Sequence, residues 1–113
     1  MNALANKNIL VLGLGSSGLA LARWCARGGA QVTVADTRAT PPQLQALQTS
    51  VPAANFVHAE MSESLLAVTP FDLVLRSPGL SPASVMGVMA AAEARGIACG
   101  NELRLFAQAL ADL

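Results

Sequence analysis

The apolar positions along this chain change period repeatedly. Ile9-Leu10-Val11-Leu12 is an unbroken apolar run, the pattern of a strand covered on both faces. Gly13 to Gly18 interrupts it and predicts a turn. From Ser17 to Arg27 the period becomes helical, with Leu19, Ala22 and Ala26 on one face and Arg23 and Arg27 on another. Gly28-Gly29 supplies a stop. Gln31 to Ala35 is a second, β-branched strand that ends at Asp36. Thr40-Pro41-Pro42 then predicts a helix through Leu44 and Leu47, with Thr40 as N-cap and the prolines in its first turn. Asn55-Phe56-Val57 is a weak third strand, with His58 in a surface loop after it. Ser62 to Ala67 is a short helical piece, and Asp72 to Leu75 a fourth strand. Pro82 to Arg95 predicts a helix with Val85, Val88, Met89 and Ala92 inward and Gly96 closing it. Ile97 to Cys99 is a fifth short strand. Asn101 then caps a last helix on which Leu103, Phe106 and Leu110 share a face and Glu102 compensates the dipole.

Strands that alternate with helices call for a parallel sheet with right-handed crossovers. The expectation is an α/β fold: a Rossmann-like three-layer domain whose parallel sheet has about five strands in the order 3-2-1-4-5. At 113 residues the chain suits one domain, spanning 1–113.

Composition narrows the function. Seven Lys plus Arg balance seven Asp plus Glu, so no basic field is available to hold nucleic acid or an anionic membrane. With 53% hydrophobic and 12% charged residues, disorder is excluded. Aromatics are few, so aliphatic side chains and 22 alanines must fill the core. Cys25 and Cys99 lie in apolar segments and read as buried thiols in a reducing compartment. His58 is the sole histidine, which leaves no His and Cys cluster for zinc and no Ser-His-Asp or Cys-His constellation. The uncharged stretch from Asn8 to Ala22 is too short to span a bilayer and is broken by glycines. A cytoplasmic domain without a metal site or catalytic residues is the expectation.

Gly13-Leu14-Gly15-Ser16-Ser17-Gly18 matches G-x-G-x-x-G between a predicted strand and a predicted helix. Gly13 permits a tight turn, Gly15 lets a phosphate approach the backbone, and Gly18 lets helix and strand pack closely. Free N–H groups at the helix start then face an anion. Asp36 stands 18 residues after Gly18, at the end of the second strand, where a carboxylate can accept from a ribose diol or a base N–H. The alternative is a capping or turn residue, since Asp is common after strands. Arg38 can stack on a base, reach a phosphate, or lie solvated. Ser77-Pro78-Gly79 follows the fourth strand on the same sheet edge and suits a second phosphate or sugar contact, or an ordinary proline turn. Arg76 beside it adds charge or is only solvated. No G-x-x-x-x-G-K-[ST] loop for ATP occurs.

Taken in order, KNILVLGLGSSGLALARW, VADTR (Val34 to Arg38) with Thr40-Pro41-Pro42, LRSPGLSP (Leu75 to Pro82) and GNELRLF (Gly100 to Phe106) resemble a known family. They look like the N-terminal domain of the D-glutamate-adding Mur ligases, the UDP-N-acetylmuramoyl-L-alanine:D-glutamate ligase (MurD) family. The resemblance runs from Lys7 to about Ala109. It implies the first of three domains, a Rossmann-like unit for the UDP substrate, with a central ATPase domain and a C-terminal domain outside this chain. By motif, Gly15, Ser16, Ser17 and Gly18 line the uridine-diphosphate end. Asp36, Thr37 and Arg38 contact uracil and ribose, with Arg38 flanking the base. Ser77 and Gly79 approach the diphosphate and the muramoyl side. The family uses ATP and Mg2+ to phosphorylate the L-alanine carboxylate of UDP-N-acetylmuramoyl-L-alanine, and the D-glutamate amine attacks the acyl phosphate. That machinery belongs to the central domain, so this chain alone is not expected to be catalytic and carries no cofactor. Ser16 departs from relatives that place an apolar residue there. On the residues alone, two other readings stay open: an NAD(P)-binding domain of an oxidoreductase, and a nucleotide-sensing regulatory module.

Overall fold

A computed structural model of the chain describes residues 6–67, 70–76 and 82–100. Among the described residues the strands are β1 (Asn8–Leu12), β2 (Gln31–Asp36), β3 (Asn55–His58), β4 (Leu73–Arg76) and β5 (Ala98–Gly100). The helices are α1 (Ser16–Arg27), α2 (Leu44–Ser50) and α3 (Pro82–Ala94), with a 3₁₀ helix at Glu63–Ala67. Every pairing is parallel and the order is β3-β2-β1-β4-β5. The expected α/β architecture and strand order are therefore those of the molecule.

The unbroken apolar run of β1 has its counterpart in a three-layer structure. Ile9 and Val11 point into one core with Leu19, Ala22 and Cys25 of α1, Val32 and Val34 of β2, and Leu47 of α2. Leu10 and Leu12 point into the other, with Leu65 and Leu66 of the 3₁₀ helix, Val74 of β4, and Val85, Val88 and Ala92 of α3. Residues 9 to 12 are fully buried because successive side chains serve opposite cores. α3 presents the inward residues that its period predicts, with Met89 half-buried beside them.

Several boundaries shift for physical reasons. α2 starts at Leu44 with Gln43 as its cap, so Thr40 is not the N-cap. A residue before proline is disfavoured in the helical region, and here both Thr40 and Pro41 precede one. Regular helix therefore begins only beyond Pro42, after the turn in which Leu44 N–H donates to the Pro41 carbonyl at 3.1 Å. The short helical piece expected from Ser62 to Ala67 is a 3₁₀ helix, Glu63–Ala67. His58 closes β3, with its main chain paired to Asp36, instead of lying in the loop beyond. Ser77-Pro78-Gly79, Asn101, Glu102 and the last predicted helix lie outside the described residues. No helix among the described residues is long and apolar enough to cross a membrane.

Candidate functional site

β1 pairs with β2 on one side and β4 on the other, so chain direction across the sheet reverses there. Crossovers diverge at such a point and leave a crevice beyond the carboxyl ends of the strands. The glycine turn occupies this position. Gly13 has φ of 92°, in the left-handed region that L side chains avoid, and its N–H donates to the Ala35 carbonyl at 2.7 Å. The turn is thus tied to β2 as soon as it leaves β1.

Leu14 provides a second anchor. Its side chain is fully buried in the α1 core, and its N–H donates to Asp36 Oδ2 at 2.8 Å. The signal was present in the sequence, since an aliphatic residue between two glycines of an otherwise polar turn has an apolar place to go. Asp36 is 3% exposed. Its Oδ1 accepts from the Arg38 N–H at 2.8 Å and from Arg38 Nε at 3.0 Å, while Oδ2 also accepts from Arg38 Nη2 at 2.8 Å. These four bonds match the acceptor capacity of a carboxylate. In this arrangement Asp36 holds two partners in place: the glycine turn on one side and the Arg38 guanidinium on the other. Arg38 remains half exposed, at 52% for its side chain, and Thr37 between them is exposed.

The bonds to Arg38 and Leu14 hold the Asp36 carboxyl down at about 2, against an ordinary 3.8, despite the opposing effect of burial. Linkage then gives the sign. The native state binds its proton less readily than the unfolded chain, so the contribution is complete above pH 3.8 and vanishes as pH falls through about 2. It amounts to roughly 2 kcal/mol. Urea unfolding of the parent and of Asp36→Asn should differ at pH 6 and converge between pH 4 and pH 2 (the ordinary and depressed values bracket that window).

The start of α1 forms the other part of the site. The first intrahelical bond of the turn runs from Leu19 N–H to the Gly15 carbonyl at 2.9 Å, so the amides of Ser16, Ser17 and Gly18 precede it. Gly15 is the N-cap, no side chain caps the helix, and its first turn has no acidic residue. Those donors and the positive end of the helix are left without the usual internal answer. Gly15 itself has φ of −100°, which any residue can adopt, and a Cβ built on it meets nothing within 4 Å. Neither the backbone nor the packing of this chain demands glycine there. The structure therefore gathers Gly15, Ser16, Ser17, Gly18, Asp36, Thr37 and Arg38 at one sheet edge, while Ser77 and Gly79 lie outside the described residues.

Other chemistry-bearing groups lie apart. Burial pushes the Cys25 thiol up to about 12, the behaviour of a packing residue rather than a nucleophile. The described residues contain no group of three or more His, Cys, Asp or Glu side chains able to hold a metal.

Topology and site together define a Rossmann-like α/β domain with a glycine turn at its switch point. Its sequence matches the family described as "Mur ligase MurD-like, N-terminal domain" over residues 7–100, and the chain belongs to that family. It is 57% identical, over all 113 residues, to the UDP-N-acetylmuramoylalanine–D-glutamate ligase of Albidiferax ferrireducens, and covers 22% of it. Against the enzyme of the same name from Aromatoleum aromaticum it is 47% identical over its whole length and covers 23% of that protein. The chain thus spans about a fifth of the curated relatives it matches. Among solved structures, UDP-N-acetylmuramate:L-alanyl-gamma-D-glutamyl-meso-diaminopimelate ligase from Neisseria meningitides shares the fold with a TM-score of 0.65 and 20% identity. That match covers 84% of this chain and 28% of the other.

Proposed function

We propose that this chain is the UDP-binding first domain of an ATP-dependent ligase that adds D-glutamate to UDP-N-acetylmuramoyl-L-alanine in peptidoglycan synthesis. Family membership supports the enzyme class. The observation that carries the binding role is the open space over Gly15, at the mouth of a helix whose leading amides have no side-chain cap. A diphosphate fits the chemistry of those donors. Gly15, Ser16, Ser17 and Gly18 take the diphosphate end, and Arg38 and Thr37 take the uridine end. Asp36 acts on the uridine by fixing Arg38 and the turn, since its acceptor positions are already filled. Ser77 and Gly79 complete the diphosphate and muramoyl side. The central domain of a longer chain binds ATP and Mg2+ and carries the catalytic groups, and a C-terminal domain completes the enzyme. The cytoplasm is where such a nucleotide-linked precursor is assembled.

Calorimetry of the chain with UDP-N-acetylmuramoyl-L-alanine, NADH and ATP tests this reading. Heat from the UDP compound alone supports it, and heat from NADH alone overturns it in favour of an oxidoreductase domain. Replacing Arg38 by Ala should weaken the UDP compound about fivefold, the value of a guanidinium against a base at a partly exposed site. An unchanged affinity removes Arg38 from the uridine end.

A further inference from the structure

The opposite end of α1 carries a feature that the nucleotide reading leaves unused. A cleft of about 580 Å³ opens between α1 and α2, lined by Arg23, Ala26, Arg27, Ser50 and Val51. Arg23 and Arg27 stand one turn apart on α1. Across from them Ser50, the last residue of α2, accepts from Arg23 Nη2 at 2.7 Å, which leaves its own hydroxyl proton available to donate. No lining residue is acidic, and among the described residues neither arginine forms an ion pair.

Two like charges four residues apart on one helix repel each other. The negative end of the α1 dipole offsets Arg27, which sits in the last turn. It does not account for a second exposed cation beside it on the wall of an open cleft with room for a small ligand. We propose that this cleft binds an oxyanion, specifically a small phosphate-bearing molecule held by the Arg23 and Arg27 guanidiniums with the Ser50 hydroxyl as a further donor. Planar guanidiniums suit phosphate oxygens because each can offer two parallel N–H groups. The site is separate from the glycine turn, since Gly15 and Arg27 are about 18 Å apart along the helix.

The test is a titration of the whole chain with inorganic phosphate, pyrophosphate and citrate at constant ionic strength, followed by amide and arginine Nε resonances. Saturable shifts at Arg23, Arg27, Ser50 and Val51 are expected, with the phosphate compounds binding more tightly than citrate. Arg27→Gln should weaken pyrophosphate roughly fivefold at these resonances, as befits one exposed charge, and Arg27→Lys should retain most of the binding. Arg27 has no bonded partner among the described side chains, so its replacement should shift the melting temperature only slightly, by the lost interaction with the helix dipole less the relieved repulsion from Arg23. Gly15→Val should titrate at the cleft as the parent does. Shifts that never saturate, shifts confined to Ser16–Gly18, or an Arg27→Gln protein that titrates like the parent each overturn the proposal. Tighter binding of citrate than of pyrophosphate overturns its phosphate preference.

Discussion

Asp36→Ala should both destabilise the fold by roughly 3 kcal/mol and abolish measurable binding of the UDP compound. The stability loss follows from what the carboxylate holds. Removing it leaves the Leu14 N–H, at a fully buried residue, without its acceptor. A buried donor stripped of its partner costs about 1–3 kcal/mol. The charge-assisted bonds to Arg38 are lost as well, each stronger than a neutral one. The binding loss follows from geometry, because the same carboxylate sets where the glycine turn stands and where the Arg38 guanidinium points. Asp36→Asn separates the two effects. It keeps an acceptor for Leu14 but loses the ion pair, so it should unfold at an intermediate urea concentration. An Asp36→Ala protein as stable as the parent would contradict the assignment of Asp36 as the tie between turn and strand.

Gly15→Val has the opposite signature. Its expected result is a loss of at least about tenfold in affinity for UDP-N-acetylmuramoyl-L-alanine with stability within about 1 kcal/mol of the parent. The backbone at residue 15 already lies at negative φ, and a Cβ there meets no atom of the protein within 4 Å. The small stability cost comes from valine being a poorer N-cap than glycine. The branched side chain would stand where a phosphate must come close to the leading amides of α1. Calorimetry for affinity and urea unfolding for stability distinguish this outcome from general damage. A variant that binds as well as the parent would show that the open space over Gly15 is not where the ligand lies.

The fold was legible because the strongest signals were non-local in consequence. An unbroken apolar run such as Ile9 to Leu12 satisfies only a strand with helices on both faces, and that requirement brings parallel order with it. Helix starts were less legible. The tandem prolines carry a favourable signal for position one of a helix and an unfavourable one for the residue before each proline, and the second prevails at Thr40. Within the site, the glycine pattern announced a turn at a helix start, and the structure has one. Periodicity cannot show where a carboxylate spends its lone pairs. Asp36 reads from sequence as an acceptor for a ligand, with a turn residue as the alternative. In the folded chain it is occupied by Leu14 and Arg38, two partners separated from it by 22 and 2 residues. On the proposed function, it acts on a ligand through the groups it holds.

On the proposed function, the leading amides of α1 hold the diphosphate of a uridine sugar. Backbone amide resonances recorded while UDP-N-acetylmuramoyl-L-alanine is added test it most directly. Ser16, Ser17 and Gly18 should shift most, together with Arg38, and all should follow one saturation curve. Saturable binding that moves other resonances and leaves those of Ser16 to Gly18 in place would contradict it.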